Sequence, residues 1–169
     1  MDKTQIAKDI RGAIKSDQLD TVIDLLEKEP EMLTVMTPFG TWLHIAAAYG
    51  RLEIIEYLIN AGIDTNAQGG TFSTNALERA ATKGHLDIVE YLINQNVEMD
   101  TSEPDRNPLF AALYGGHFEI VKLLVENNID VSIKYSGDNM KDMDAYEFAI
   151  ERGQTEIAEY LKQRMDVKE

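Results

Sequence analysis

Along the chain the apolar positions fall in short helical stripes that recur. Ile54, Ile55, Leu58 and Ile59 stand at i, i+1, i+4 and i+5 with Glu53 and Glu56 on the polar side, the pattern of a helix that buries one face. The stripe returns at Ile88, Val89, Leu92 and Ile93, then at Ile120, Val121, Leu124 and Val125, with fainter echoes over 17–26 and 153–161. The segments are anchored at 17, 50, 84, 116 and 153, spacings of 33, 34, 32 and 37 residues. Before the last four anchors lies a second apolar segment with small residues at its centre: Leu43 to Ala47, Leu77 to Ala81, Leu109 to Leu113 and Tyr146 to Ile150. These open on Thr41, Asn75, Asn107 and Asp144. Such side chains accept hydrogen bonds from the unpaired amides of a helix start. The expected unit is a capped short helix, a tight turn at glycine, a second helix and a finger loop that leads to the next unit.

A fixed period of this length makes the single-core picture wrong and a stack of units right. The segments Thr41-Trp42-Leu43-His44-Ile45-Ala46-Ala47, Gly84-His85-Leu86-Asp87-Ile88-Val89-Glu90-Tyr91-Leu92-Ile93 and Ala61-Gly62-Ile63-Asp64-Thr65-Asn66 resemble the three elements of the ankyrin repeat, T-P-L-H-x-A-A, G-H-x-x-I-V-x-x-L-L and G-A-D-x-N. The resemblance covers about residues 4 to 163. It implies an all-α, ankyrin-repeat solenoid of paired antiparallel helices over 1–169, with caps at 4–36 and 140–165 and repeats at 37–70, 71–102 and 103–139. Gly62 suits the left-handed helix end, and Asn96 and Asn128 at the same place are the best non-glycine substitutes.

Departures from the pattern bear on function. The family's bridging His survives only as His44; Glu78, Phe110 and Glu147 stand in its place elsewhere. Either other contacts hold those junctions or that face serves binding, and the first is preferred because stacked apolar faces provide most of a solenoid's stability. Trp42, at the family's Pro position, either covers the junction with the first unit or stands out as an anchor.

Composition narrows the classes. The chain has no cysteine, so disulfides and thiolate metal sites are impossible. No apolar run approaches the roughly 20 residues of a membrane span, and the amino terminus lacks the apolar core of a signal peptide. A cytoplasmic monomer is the expectation. Sixteen Lys and Arg against thirty Asp and Glu give a net charge of -14, which repels nucleic acid and anionic membranes.

No catalytic set is found, and no metal or cofactor is expected. His44, His85 and His117 all occupy places where the repeat already wants histidine, and no serine lies in a nucleophile turn. Gly69-Gly70 lacks the Lys-Ser/Thr ending of a phosphate loop, and Lys141 spoils the acidic run 138–142 as a calcium loop.

What the resemblance implies is a protein-interaction module that binds through finger tips and the concave helical face. Carried over by position, partner-binding residues are Phe39, Trp42, Tyr49, Phe72, Lys83, Asp105, Arg106, Tyr114 and Arg152. Phe39 and Phe72 could tuck under their own loops, yet four aromatics at matching positions favour an interface. Ten acids fall on the polar face of second helices, and others cluster in the fingers, so a basic partner is an even expectation. Two alternatives stand beside this: an inhibitor or immunity protein that neutralises a basic toxin or enzyme, and, less favoured, an enzyme or small-ligand binder in the concave groove. The finger over 135–143, four residues longer than the family norm, is either part of the binding side or a tolerated insertion.

Overall fold

The computed structural model describes residues 2–167. Helices α1 (Lys3–Lys15) and α2 (Leu19–Lys28) open the chain, followed by a 3₁₀ turn at Pro30–Thr34. Then come the pairs α3 (Trp42–Tyr49) and α4 (Leu52–Asn60), α5 (Ala76–Lys83) and α6 (Leu86–Asn94), and α7 (Pro108–Gly115) and α8 (Phe118–Glu126). A hairpin of β1 (Tyr135–Gly137) and β2 (Met140–Met143) precedes α9 (Ala145–Glu151) and α10 (Thr155–Asp166). The helical solenoid expected from the repeats is present, and the long last finger adds a small antiparallel sheet to it.

The first helices α1, α3, α5, α7 and α9 stack side by side, and the second helices form a layer behind them. Alanines at 46, 47, 80, 81, 112 and 149 are fully buried along the first layer, where they let neighbouring helices approach closely. Behind them Ile54, Ile55 and Leu58, with their counterparts at 88, 89, 92, 120, 121 and 124, close the core. Thr41, Asn75, Asn107 and Asp144 do precede the first helices. The carboxylate or amide oxygens of the last three accept backbone N–H bonds from Glu78, Leu109 and Glu147.

Each first helix ends in a left-handed residue, at Asp17 in the first unit and at Gly50, Gly84, Gly116 and Gly153 afterwards. The residue that follows reaches back to the preceding unit. Arg51 donates to the Ile14 carbonyl at 3.3 Å and to the Lys15 carbonyl, His85 to Ala48 at 3.1 Å, His117 to Thr82 at 3.1 Å, and Gln154 to Leu113 at 2.6 Å. These donors reach carbonyls of the last helical turn, where the intrahelical ladder runs out; those of Ile14 and Leu113 accept from the Asp17 and Gly116 N–H as well. The imidazole of His85 lies so close to Gly50 that an added Cβ would fall 2.8 Å from it, and the same holds for His117 over Gly84 at 2.5 Å. Glycine is required there by contact as well as by its positive φ. Two of the three histidines therefore act as pins between units. Gly62, Asn96 and Asn128 are left-handed as expected.

Trp42 corrects the candidate binding set. Its side chain is 0% exposed and its indole N–H donates to the Met32 carbonyl at 2.7 Å. It seals the junction between the 3₁₀ turn and α3, so it offers no surface to a partner. Buried indoles find a hydrogen-bond partner for their single donor, and Met32 supplies it.

Candidate functional site

The inner side of the stack is formed by the free faces of the first helices and by the finger tips. Short bridges pair Thr37 with Gly40 and Gly69 with Thr74, so the first two fingers end in tight turns that project Phe39 and Phe72. Phe39 is 53%, Tyr49 44%, Phe72 59% and Tyr114 64% exposed. Neither phenylalanine tucks under its own loop.

A groove of about 470 Å³ runs between the second and third fingers and α7 and α9, lined by Phe72, Asp105, Phe110, Tyr114, Phe148 and Arg152, with Glu78 and Thr82 from α5 also in its wall. The Arg152 guanidinium stands 4.5 Å from the Tyr114 ring centroid and 5.5 Å from that of Phe148, and donates to the Tyr114 carbonyl at 2.9 Å. Met140 of β2 also lines the groove, so the long finger contributes to this side. Four of the positions singled out from sequence, Phe72, Asp105, Tyr114 and Arg152, thus meet in one place. Lys83 is exposed at the end of α5 and Arg106 is half-buried; neither lines the groove. Phe39 and Tyr49 sit further toward α1.

The three replacements of the family's bridging histidine separate. His44 itself spans the junction: its Nδ1 accepts from the Thr41 N–H at 3.0 Å and its Nε2–H donates to the Thr74 carbonyl at 2.7 Å. Glu147 closes a capping box by accepting from the Asp144 N–H and lies 3.7 Å from Lys134. Phe110 packs edge-on against Tyr135 at 5.1 Å and against Phe148 at 5.2 Å. The Tyr135 hydroxyl takes over the polar bridging, accepting from Asn107 and donating to the Thr101 carbonyl. Other contacts hold those two junctions, as preferred from the sequence.

Glu78 behaves differently, because it is nearly buried yet faces the groove. Its Oε1 accepts from Thr82 at 2.8 Å, and Oε2 lies 3.9 Å from Arg79, whose guanidinium is turned toward the Thr74 hydroxyl. Burial pushes its carboxyl pKa above the ordinary value, Asp105 adds to the push, and the Thr82 and Thr74 hydroxyls with Arg79 oppose it. A carboxyl raised in the folded state binds protons more readily there than in the unfolded chain. Its contribution to stability is therefore present at low pH and is lost as pH rises from 4.5 through the folded value. Glu78→Gln keeps an acceptor for Thr82 and removes the charge, so the variant is expected to be at least as stable as the parent at pH 7.5. Urea titrations across pH 4.5–8 check this: the parent loses the margin as pH rises and the variant does not.

The finger acids are less available than their number suggested. Asp100 accepts from Ser102 and from Gln68, and Asp142 lies 4.0 Å from Lys134. At the other end of the inner face the charge reverses, since Arg11 of α1 lies 5.1 Å from the Phe39 ring and Lys15 lies 5.3 Å from that of Tyr49. Lys8, Arg11 and Lys15 at i, i+3 and i+7 are a sequence signal of a charged face on α1, beyond its place as a cap. Phe148, whose ring lines the groove, lies outside the positions that the repeat resemblance singles out.

Among the described residues no group of three or more His, Asp or Glu is placed to hold a metal ion, and no helix is long and apolar enough to cross a membrane. Comparison with curated proteins returns no match. A family model described as ankyrin repeats, in three copies, matches residues 10–103 and 77–169. Repeats of this kind are generally protein–protein interaction modules and are not typically enzymes. The stacked helix pairs, the left-handed turns and the histidine pins agree with this match, and its extent over nearly the whole chain means that the protein belongs to the ankyrin-repeat family.

Proposed function

We propose that the protein binds another protein across the inner face of its repeats, with Phe72 and Tyr114 at the centre and Tyr49 and Phe39 extending the contact toward α1. The observation that carries this reading is the set of four large aromatics left exposed at the first two finger tips and near the ends of α3 and α7. Exposed aromatics of this size are unfavourable in water and are the residues that most often concentrate interface energy. Arg152, held on Tyr114, adds a cationic edge to an otherwise apolar contact. Glu78 and Asp105 give the groove a pair of carboxylates that suit a basic side chain of the partner. Taking a partner lysine or arginine there relieves the repulsion between them and compensates the buried Glu78 charge.

Affinity capture on the full chain, with bound proteins identified by mass spectrometry, tests the reading when run beside the double variant Tyr49→Ala, Tyr114→Ala. Both rings are largely solvated, so the fold is expected to keep its melting temperature within about 2 °C, in line with the small effects of surface substitutions. Partner retention is expected to fall at least about tenfold, the scale of a single interface hot spot. Equal retention by parent and variant would show that the partner uses another face.

A further inference from the structure

We propose that the α1 end of the inner face, where Lys8 and Arg11 rim an apolar recess and Lys15 stands one turn further along the helix, docks an acidic segment of the protein partner. The inference rests on the inner face being the binding surface and goes beyond it, since it gives that partner a second chemistry opposite to the one met at Glu78.

Several cations elsewhere on the solenoid are matched by an acid. Lys28 pairs with Asp24 at 2.7 Å, and Lys122 pairs with Glu119 at 2.9 Å while lying over Phe118. Among the described residues, Lys8, Arg11 and Lys15 make no ion pair. The one acid of α1, Asp9, is held by Gln5 at 2.8 Å. In a chain of net charge -14, these three cations share one helix face with no acid among the described residues paired to any of them.

Arg11 and Lys15 are also oriented. Stacked on Phe39 and Tyr49, they lose part of their side-chain freedom before any ligand arrives, and a guanidinium lying over a ring keeps its N–H edge open to a carboxylate. Beside them a recess of about 400 Å³ between α1 and the first finger is lined by Ala7, Met32, Val35 and Met36, with Lys8 and Arg11 on its rim. An acidic segment carrying an apolar residue would fill the recess and meet the cations at once. A nucleic acid is disfavoured because its phosphates need an extended basic track, and this patch is short and bounded by acidic surface. Repulsion from the rest of the protein is confined by a screening length of about 8 Å at physiological ionic strength.

The test titrates a capped hexaglutamate peptide into the ¹⁵N-labelled full chain at physiological salt. Saturable shifts are expected at the amides of Lys8, Arg11, Lys15, Phe39 and Tyr49, with none at these positions from capped hexalysine. Replacing the three cations by glutamate is expected to weaken hexaglutamate binding at least tenfold with an unchanged melting curve. The glutamine triple variant serves the same comparison should the charge reversal loosen α1. No saturable shift, shifts spread over other faces, unchanged binding by both triple variants, or equal affinity for a hexathymidine oligonucleotide would each overturn the proposal. If the Tyr49 and Tyr114 double variant loses the captured partner while hexaglutamate is ignored, the binding face stands and this inference fails. If hexaglutamate binds α1 but the double variant still retains the partner, the acid-docking site stands and the aromatic binding face fails.

Discussion

Replacing Trp42 by Ala is expected to lower the unfolding free energy by about 4 kcal/mol, within the range for removing a large aromatic from a packed core. The side chain is fully buried, so the whole ring becomes cavity, and the buried Met32 carbonyl loses the shorter of its two donors and keeps the Val35 N–H at 3.2 Å. In a protein of this size the loss corresponds to a fall of roughly 8–16 °C in melting temperature. The effect has a direction along the chain. Met32 belongs to the 3₁₀ turn that closes the first unit and Trp42 opens the next, so the junction that weakens is the one holding α1 and α2 to the rest. Because a solenoid's stability is nearly a sum of units and interfaces, the first unit is expected to loosen before the others. Hydrogen exchange will show it: amides over 3–34 lose protection first, and those of α5 to α8 keep theirs. Trp42→Phe separates the two losses, since it keeps most of the ring and gives up the donor, with an expected cost of about 1–2 kcal/mol. Uniform loss of protection along the whole chain in Trp42→Ala would contradict this assignment.

Residue by residue, what could be read without coordinates depended on whether its cause was local. The helix pairs follow from stripes at a 3.6 period, the starts from Thr41, Asn75, Asn107 and Asp144, and the left-handed ends from Gly62, Asn96 and Asn128; each cause acts within a few positions of its effect. The regions that carry Phe39, Tyr49, Phe72 and Tyr114 were legible for the same reason, because finger tips and first-helix ends recur in every repeat although the aromatics are offset by one residue between repeats. Contacts between units were not. Arg51 and Gln154 do the work of His85 and His117, and only the shared ability to donate to a carbonyl more than thirty residues away unites them. Trp42 occupies one position in the pattern whether it is covered or open, and Met32 of the 3₁₀ turn, ten residues back, is what receives its indole N–H. Glu78, Phe110 and Glu147 all replace one histidine, yet one brings a nearly buried carboxylate to the groove, one packs its ring against Tyr135 and Phe148, and one caps its own helix. Substitution marks where a junction has changed. The neighbour decides what the change does.

His44 carries the other large effect, and its sign can be worked out. The ring joins the buried Thr41 N–H to the buried Thr74 carbonyl. His44→Ala strands the Thr41 N–H, while the Thr74 carbonyl keeps the Gly69 N–H at 2.8 Å. One stranded buried donor at about 1–3 kcal/mol, together with the cavity left by the ring, gives an expected loss of about 3 kcal/mol at pH 7.5. Burial lowers the imidazole pKa below its ordinary 6.5, with the nearby Arg79 in the same direction and the Thr74 carbonyl against them. The folded protein therefore keeps the ring neutral while the unfolded chain takes up a proton. The stability His44 supplies is complete above pH 6.5 and is lost as pH falls from there toward the folded value. Glu78 acts with the opposite sign in the overlapping window, gaining stability as pH falls toward 4.5. In the parent the two slopes partly cancel, and single variants uncover them. Between pH 7 and 5 the Glu78→Gln variant is expected to lose stability more steeply than the parent on acidification, and His44→Ala to lose it less steeply or gain it. Urea midpoints for the two variants and their combination, taken every half unit of pH, measure both slopes. Parallel curves for all four proteins would refute the placement of these two groups as opposed titrating sites in one junction.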